Sequence, residues 1–169
     1  MRAALVATIL AIASVASIGF APAAPAHASV ATVVQRVPGS VRLRMAAWHW
    51  ALRQRLKPYV WGGTGPFGFD CSGLVFASYR ANGIQLPRTT YEMLESWRLV
   101  RIPKSQARKG DLAFFGTGHV ELFAGGHWTF GAAESGTLIR FHRMNSFWHP
   151  TMYFRIRGLA SRVQPRGTS

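Results

Sequence analysis

The apolar pattern of the chain changes character after about residue 97. Before that point apolar residues recur every three or four positions, which is the period of an amphipathic helix. After it come short segments rich in aromatic and β-branched residues, separated by glycine turns. The predicted strands span residues 111–116, 119–124, 128–132, 137–143 and 152–158. Helices followed by strands indicate an α+β domain, with N-terminal helices packed on a five- to six-stranded antiparallel sheet.

The first predicted helix follows a segment without periodicity. Ser40 is a candidate N-cap, and Pro58 ends the pattern because proline cannot continue a helix. One apolar stripe runs along this helix and consists of Val41, Met45, Trp48, Leu52 and Leu56.

Two further helices are predicted after a glycine-rich loop at residues 61–68. One runs over residues 71–83 and reads as a buried helix that closes at a glycine. The other opens at Thr89, where Glu92 completes a capping box, and continues to about Trp97.

The N-terminus has the pattern of a secretory leader. Arg2 precedes an uncharged apolar run over residues 3–20, and an Ala/Pro-rich stretch follows over 21–28. This pattern predicts a signal peptide cleaved before Ser29. The alternative is a membrane anchor, although the run only marginally reaches the roughly 20 apolar residues that a spanning helix needs.

The remaining chain has room for one domain with a real core. We expect a flexible lead-in over residues 29–39, the folded domain over 40–160 and a flexible tail over 161–169. The formal net charge is +14, so polyanions are the expected partners. If the chain is an exported monomer, the expected polyanions are cell-wall polymers rather than nucleic acid. The alternative is that the arginines have no partner and only keep the surface solvated.

Cysteine usage favours a reactive thiol. The chain has one cysteine, Cys71, so an exported form contains no internal disulfide. The alternative is a buried, inert cysteine that behaves as a small hydrophobe.

The position of Cys71 favours catalysis. It follows the glycine-rich loop and begins a predicted helix, where the macrodipole and the free backbone N–H groups stabilise a thiolate. The same N–H groups can bind an oxyanion. His119 is the best placed base, since it follows a Gly-Thr-Gly turn and starts a predicted strand that would hold it rigidly. The mature chain also contains His49, His127, His142 and His149.

Five blocks stand in a fixed order along the chain: PYVWGG at 58–63, FDCSGLV at 69–75, LPRTT at 86–90, KGDLAFF at 109–115 and GHV at 118–120. Together they resemble the NlpC-type cell-wall cysteine peptidases over residues 40–143. The resemblance implies a papain-like core with Cys71 as nucleophile and His119 as general base. It also implies hydrolysis of the bond between D-γ-glutamyl and a diamino acid in peptidoglycan stem peptides, without a metal or cofactor.

The same resemblance implies three substrate-binding residues. Tyr59 would place its hydroxyl beside the thiolate, while Asp70 and Ser72 would contact the stem peptide, for instance its amine. Asp70 is also a candidate helix N-cap, and the two roles do not exclude each other.

One position departs from the family pattern. The family usually presents a third polar residue, most often histidine, twelve positions after the catalytic histidine, and this chain has Gly131 there. Glu121 is the first substitute, because residues two apart on a strand share a face and its carboxylate can cross the space vacated at Gly131. Glu134 is the second substitute. If both glutamates merely face basic neighbours, the enzyme would be slow or inactive.

Two other functional classes remain open. A basic, tryptophan-rich exported domain can bind cell-wall polymer without cleaving it, although binding alone needs neither Cys71 nor His119. Amidase, acyl-transfer and toxin chemistry use the same thioester scaffold. A secreted nuclease is disfavoured, because no histidine or carboxylate cluster has the spacing of metal ligands.

Overall fold

The computed structural model describes residues 39–157. Three α-helices precede the sheet in sequence: α1 (Gly39–Leu52), α2 (Cys71–Arg80) and α3 (Thr90–Glu95). Six strands follow, with a short 3-10 helix at Lys104–Gln106 between the first two: β1 (Leu99–Ile102), β2 (Leu112–Phe115), β3 (His119–Gly125), β4 (Trp128–Gly131), β5 (Arg140–Arg143) and β6 (Met152–Ile156). The predicted α+β class with helices before an antiparallel sheet is confirmed.

The strands form one antiparallel sheet in the order β1-β6-β2-β3-β4-β5. Strands β2 to β5 are successive hairpins, so β3 and β4 lie side by side near the middle of the sheet. Leu122 pairs with Phe130, which sets Glu121 directly opposite Gly131. Gly131 in turn pairs with Arg140, and Thr129 pairs with His142. This register brings polar residues of three strands onto one face of the sheet.

The main core lies between the helices and the other face of the sheet. It is built from α1 and α2 residues such as Trp48 and Leu74 and from alternate strand residues such as Val120, Leu122 and Phe130. Because side chains alternate along a strand, burying Val120 and Leu122 against the helices turns His119 and Glu121 to the opposite face. A smaller apolar cluster on that face contains Phe123 and Tyr153.

The first helix differs from its prediction at both ends. It begins at Gly39, so Ser40 lies inside the first turn rather than at the cap, and it ends at Leu52 rather than at Pro58. The chain turns at Leu56, whose φ of 70° is left-handed, and the Leu56 N–H then donates to the carbonyl of Ile139. The backbone around Leu56 therefore pairs with Ile139, just before β5, instead of continuing the helix. The Leu56 side chain is exposed.

The other predicted boundaries need smaller corrections. The second helix ends at Arg80, three residues before Gly83, and the third ends at Glu95. The predicted strand over 137–143 is regular only in β5. Strand β1 was not predicted; it is an edge strand with exposed Val100 and Arg101, and its pattern does not alternate clearly. The predicted leader, the lead-in up to residue 38 and the tail lie outside the described residues. Within residues 39–157, every helix is too short or too polar to span a bilayer.

Candidate active site

Cys71 is the first residue of α2 and is nearly buried. Asp70 caps the helix: its side chain accepts from the Gly73 N–H, and its carbonyl accepts from the Leu74 N–H. The backbone N–H groups of Cys71 and Ser72 take no part in this cap, and the first N–H groups of a helix have no intrahelical acceptor. This is the arrangement in which a thiolate and a developing oxyanion are both stabilised.

The preceding loop packs tightly against the start of α2. A Cβ on Gly73 would overlap the carbonyl oxygen of Gly63, and that same oxygen accepts from the Asp70 N–H. Glycine at residue 73 is therefore required by the chain's own loop, in addition to any room it leaves for a substrate. The contact fixes the direction in which Cys71 leaves the loop.

The carboxylate of Asp70 is fully engaged. One oxygen accepts from the Gly73 N–H at 2.6 Å and from the Ser72 hydroxyl at 3.3 Å. The other accepts from the Gly62 N–H at 2.9 Å and from Arg88 Nη2 at 2.6 Å. A carboxylate offers about four acceptor positions, so a substrate amine would have to replace one of these partners.

Arg88 is a site residue to which the sequence analysis gave no role. Its second guanidinium nitrogen donates to the Ser72 hydroxyl at 2.8 Å, which ties together the loop before α3 and the start of α2. The signal that would have located it is its place in the LPRTT block, where a buried carboxylate at Asp70 needs a cation.

A groove of about 450 Å³ opens in front of Cys71. Its walls include Tyr59, Trp61, Arg88 and Tyr91. Partial burial, together with the negative charges of Cys71 and Asp70, raises the pKa of Tyr59, so its hydroxyl stays protonated and can donate near the thiolate. Trp61 is 85% exposed at the rim.

His119 begins β3 and meets Cys71 across the end of the groove. Burial disfavours its imidazolium, but contacts with Cys71 and with Glu121 outweigh burial and raise the pKa of His119 to about 9. The ring also packs edge-on against Phe115 and Trp148, with centroids 5.3 and 5.2 Å away. These aromatic contacts restrict rotation of the imidazole, which favours one orientation toward the thiol.

Glu121 occupies the space that Gly131 leaves open. Its carboxylate is fully buried, and Oε1 lies 3.6 Å from His119 Nε2. A Cβ on Gly131 would stand 2.6 Å from Glu121 Cγ and 2.8 Å from Oε1. Burial alone would raise the pKa of Glu121, but its contacts with His119 and His142 reverse this and hold the pKa below its usual value. Glu121 is therefore ionised at neutral pH.

A second imidazole approaches the same carboxylate. His142 Nδ1 on β5 lies 2.8 Å from Glu121 Oε1, closer than His119 Nε2. Sequence reasoning gave His142 no role, because the strand register that brings residue 142 beside residue 121 cannot be derived from spacing alone. Neither contact meets hydrogen-bond geometry: His119 Nε2 is too far from the oxygen, and the His142 Nδ1–H bond does not point at it.

The other candidates lie away from this cluster. Glu134 is on the exposed turn between β4 and β5, and no ion pair involves it among the described residues. His49, His127 and His149 are exposed. Within residues 39–157, no three His, Cys, Asp or Glu side chains converge in a geometry that would hold a metal ion.

Sequence comparison now decides the family. A sequence model of the NlpC/P60 family matches residues 56–157, which include the groove, Cys71 and the buried histidine–glutamate cluster. The chain belongs to the NlpC/P60 family.

Individual NlpC/P60 proteins show how far the similarity extends. The chain is 38% identical over 111 residues to the bifunctional muramidase/DL-endopeptidase CwlT of Bacillus subtilis, which covers 61% of this chain and 33% of CwlT. It is 40% identical over 76 residues to the γ-D-glutamyl-L-lysine dipeptidyl-peptidase of B. subtilis, covering 41% and 25% of the two chains. The chain thus spans a third or less of the length of these two relatives.

The fold is shared with solved structures. The peptidoglycan hydrolase RipB of Mycobacterium tuberculosis superposes with a TM-score of 0.61 at 25% identity, over 72% of this chain and 70% of RipB. The helices and the sheet that position Cys71 therefore form a known NlpC/P60 framework.

Proposed function

We propose that this NlpC/P60 protein is a cysteine peptidase that hydrolyses peptidoglycan stem peptides at the bond between D-γ-glutamyl and a diamino acid. The observation that carries the proposal is the placement of Cys71 at the start of α2, in a groove, beside a His119 imidazole that is itself backed by the ionised Glu121. A non-catalytic wall-binding domain would need none of these groups.

In the acylation half of the mechanism, the Cys71 thiolate attacks the γ-carbonyl carbon, a carbon–sulfur bond forms and the carbonyl electrons move to oxygen. The N–H groups of Cys71 and Ser72 and the Tyr59 hydroxyl donate to this oxyanion. When the intermediate collapses, the carbon–nitrogen bond breaks and the leaving amine takes the proton of the His119 imidazolium. The product is a thioester on Cys71.

In the deacylation half, neutral His119 takes a proton from a water molecule as its oxygen attacks the thioester carbon. Collapse of this second intermediate breaks the carbon–sulfur bond and releases the γ-carboxylate product. The thiolate and the imidazolium are then restored as a pair. Glu121 stabilises the His119 imidazolium both in the resting ion pair and after His119 has taken the proton from water.

The choice of substrate rests on chemistry and on the relatives. The B. subtilis dipeptidyl-peptidase is named for the γ-D-glutamyl-L-lysine bond, and CwlT is named as a DL-endopeptidase. Arg88 and Ser72 present hydrogen-bonding groups at one end of the groove, where a polar peptide would bind. Tyr59, Ser72 and Asp70 would position the stem peptide, with Asp70 acting through Arg88.

We place the activity at the cell wall after export, with residues 40–160 as the catalytic domain. The leader pattern over residues 1–28 and the net charge of +14 support this location, because peptidoglycan carboxylates and wall phosphates are anionic. The proposed partners are stem peptides and anionic wall polymers.

The test is digestion of purified muropeptides, followed by mass spectrometry of the products. Wild type should release fragments that end in D-γ-glutamate, and Cys71→Ala should release none. Cleavage at the D,D cross-link or at the glycan-attached amide would contradict the proposed bond. Cleavage by Cys71→Ala, or none by either protein, would contradict the cysteine peptidase assignment.

A further inference from the structure

The carboxylate of Glu121 has two imidazole neighbours, and the proposed mechanism uses only one of them. His119 comes from the same strand, at 3.6 Å, while His142 comes from β5, at 2.8 Å. Both Glu121 oxygens, His119 Nε2 and His142 Nδ1 are shielded from solvent. A polar cluster this buried is costly unless its members satisfy one another, so the closer imidazole needs an explanation of its own.

The tautomer of His142 follows from its outer contact. Arg140 Nε donates to His142 Nε2 at 3.4 Å, which favours the tautomer in which Nε2 is the acceptor. In a neutral imidazole the other nitrogen then carries the proton. That nitrogen is Nδ1, which faces Glu121 Oε1. In this tautomer the Nδ1–H of His142 lies beside Glu121 Oε1, although it is not aligned with that oxygen, and His119 is the imidazole left to carry positive charge.

We propose that His142 is a positioning residue: its Nδ1–H holds the Glu121 carboxylate in the space above Gly131, so that the carboxylate orients His119 and stabilises its imidazolium. His142 touches neither Cys71 nor the groove, and it acts through Glu121. The activity readouts of this inference rest on the proposed function, whereas its spectroscopic and labelling readouts do not.

The surroundings of Glu121 support this division of roles. The titratable groups that face it are His119 on its own strand and His142 on β5, with Arg140 beyond His142 and Cys71 of α2 beyond His119. From β4 it meets the buried Thr129 hydroxyl, which accepts from Trp148 Nε1 at 3.5 Å.

Trp148 covers the cluster. Its ring lies edge-on to both imidazoles, with centroids 5.2 Å from His119 and 5.5 Å from His142. The loop that carries Trp148 is held by Asn145, whose side chain accepts from the N–H groups of Phe147 and Trp148. Because this cover limits access of water, a carboxylate beneath it depends on protein donors for its charge.

The experiment compares two substitutions of His142. His142→Asn keeps a donor near the position of Nδ1, whereas His142→Phe keeps the ring shape without a donor. We expect kcat on muropeptides to fall about tenfold in His142→Phe, the effect of one lost hydrogen bond, with KM unchanged. His142→Asn should recover most of the loss. His127→Phe, at an exposed histidine on a neighbouring turn, is the matched control and should behave as wild type.

The pH profile separates positioning from packing. Contact with His142 lowers the pKa of Glu121, so without the donor the carboxylate protonates more readily. The acid limb of kcat/KM should therefore move to higher pH in His142→Phe and return in His142→Asn. Wild-type activity in His142→Phe, or equal losses in both variants with no shift of the acid limb, would overturn the inference.

Two measurements test the role of His142 without any substrate. Nitrogen NMR of the wild-type protein at about pH 7 should find His142 neutral with its proton on Nδ1; a proton on Nε2 would overturn the inference even if the variants fail to fold. Alkylation of Cys71 by iodoacetamide should slow in His142→Phe relative to wild type and His127→Phe, because the thiolate loses a fixed imidazolium partner. If no muropeptide is cleaved but both measurements agree with expectation, the proposed function fails and the positioning role stands.

Discussion

Gly131 and Glu121 should compete for the same space, and a double-mutant cycle measures this competition. A methyl group at residue 131 would stand 2.6 Å from Glu121 Cγ and 2.9 Å from Cδ, where ordinary contacts begin at 3.4 Å. Cγ is near the root of the side chain, and Glu121 is fully buried, so it cannot swing into solvent. The backbone or the carboxylate must move.

The magnitude follows from two opposing effects. Overpacking a closed site costs about 1–3 kcal/mol, and alanine is favoured over glycine inside a strand by about 0.5–1 kcal/mol. We expect Gly131→Ala to lower the free energy of unfolding by about 1–2 kcal/mol in the wild type. In a Glu121→Ala background the obstacle is gone, so the same change should stabilise the protein by about 0.5–1 kcal/mol.

Glu121→Gln supplies the steric control, because glutamine keeps the volume and removes the charge. Gly131→Ala should cost nearly the same in the Glu121→Gln background as in wild type. The assay is urea unfolding followed by the fluorescence of the six tryptophans, with a constant m-value required for comparison. If the effect of Gly131→Ala is the same within about 0.5 kcal/mol in all three backgrounds, Glu121 does not fill the Gly131 space and the assignment of Glu121 is wrong.

Five further outcomes are expected. Glu121→Gln should keep the fold and reduce kcat, by up to about four orders of magnitude as in serine-type triads, while Glu134→Gln on its exposed turn should stay near wild type; the reverse ranking would exclude Glu121. Contacts with Cys71 and Glu121 raise the pKa of His119 to about 9, so activity should decline as pH rises through about 9. The protonated ring also stabilises the fold; this contribution is complete below about pH 6.5 and should be lost as pH rises through about 9. In Cys71→Ala the His119 titration seen by NMR should move to lower pH; an unchanged titration would remove the thiolate as a cause. Asp70→Asn keeps an N-cap acceptor but loses the charge of the Arg88 pair, so it should destabilise by about 1–2 kcal/mol, and a neutral result would mean that the pair contributes nothing. Binding to intact cell walls should weaken steeply with salt, because exposed charges are screened over about 10 Å at 0.1 M; salt-insensitive binding would point to an aromatic groove.

The parts of the fold that follow from local pattern were predictable. The capping box of Thr89 and Glu92 forms, and α2 begins at Cys71 with Asp70 as its cap, because these contacts join residues close in sequence. The helix end at Leu52 was not predictable from periodicity, since Leu56 continues the apolar stripe. Its position is decided by a backbone bond to Ile139, a residue far along the chain.

The candidate site divides in the same way. The same-face relation of His119 and Glu121 follows from the two-residue period of a strand, and the vacancy at Gly131 follows from the family spacing. The contacts of His142 and Arg88 depend on register and on loop packing between distant segments. An isolated histidine or arginine carries no local signal of such contacts, so the sequence named neither as a site residue.

Glu121 and the histidine that it orients, His119, lie on the same strand, β3, so the glutamate side chain needs open space through which to reach the imidazole. Glu121 must reach back along β3 toward His119, and it does so over Gly131 of β4, which has no side chain to block it. A glutamate has three side-chain torsions to fix, and its contact with His119 Nε2, at 3.6 Å, is too long for a hydrogen bond. That contact alone does not determine where the carboxylate sits. The closer neighbour is His142 on a third strand, whose Nδ1 lies 2.8 Å from the same oxygen, and the proposed positioning role assigns the hold on the carboxylate to it. The glycine on β4, the glutamate on β3 and the histidine on β5 are thus parts of one arrangement, in which the glycine leaves a space, the glutamate fills it and the histidine adjoins the carboxylate.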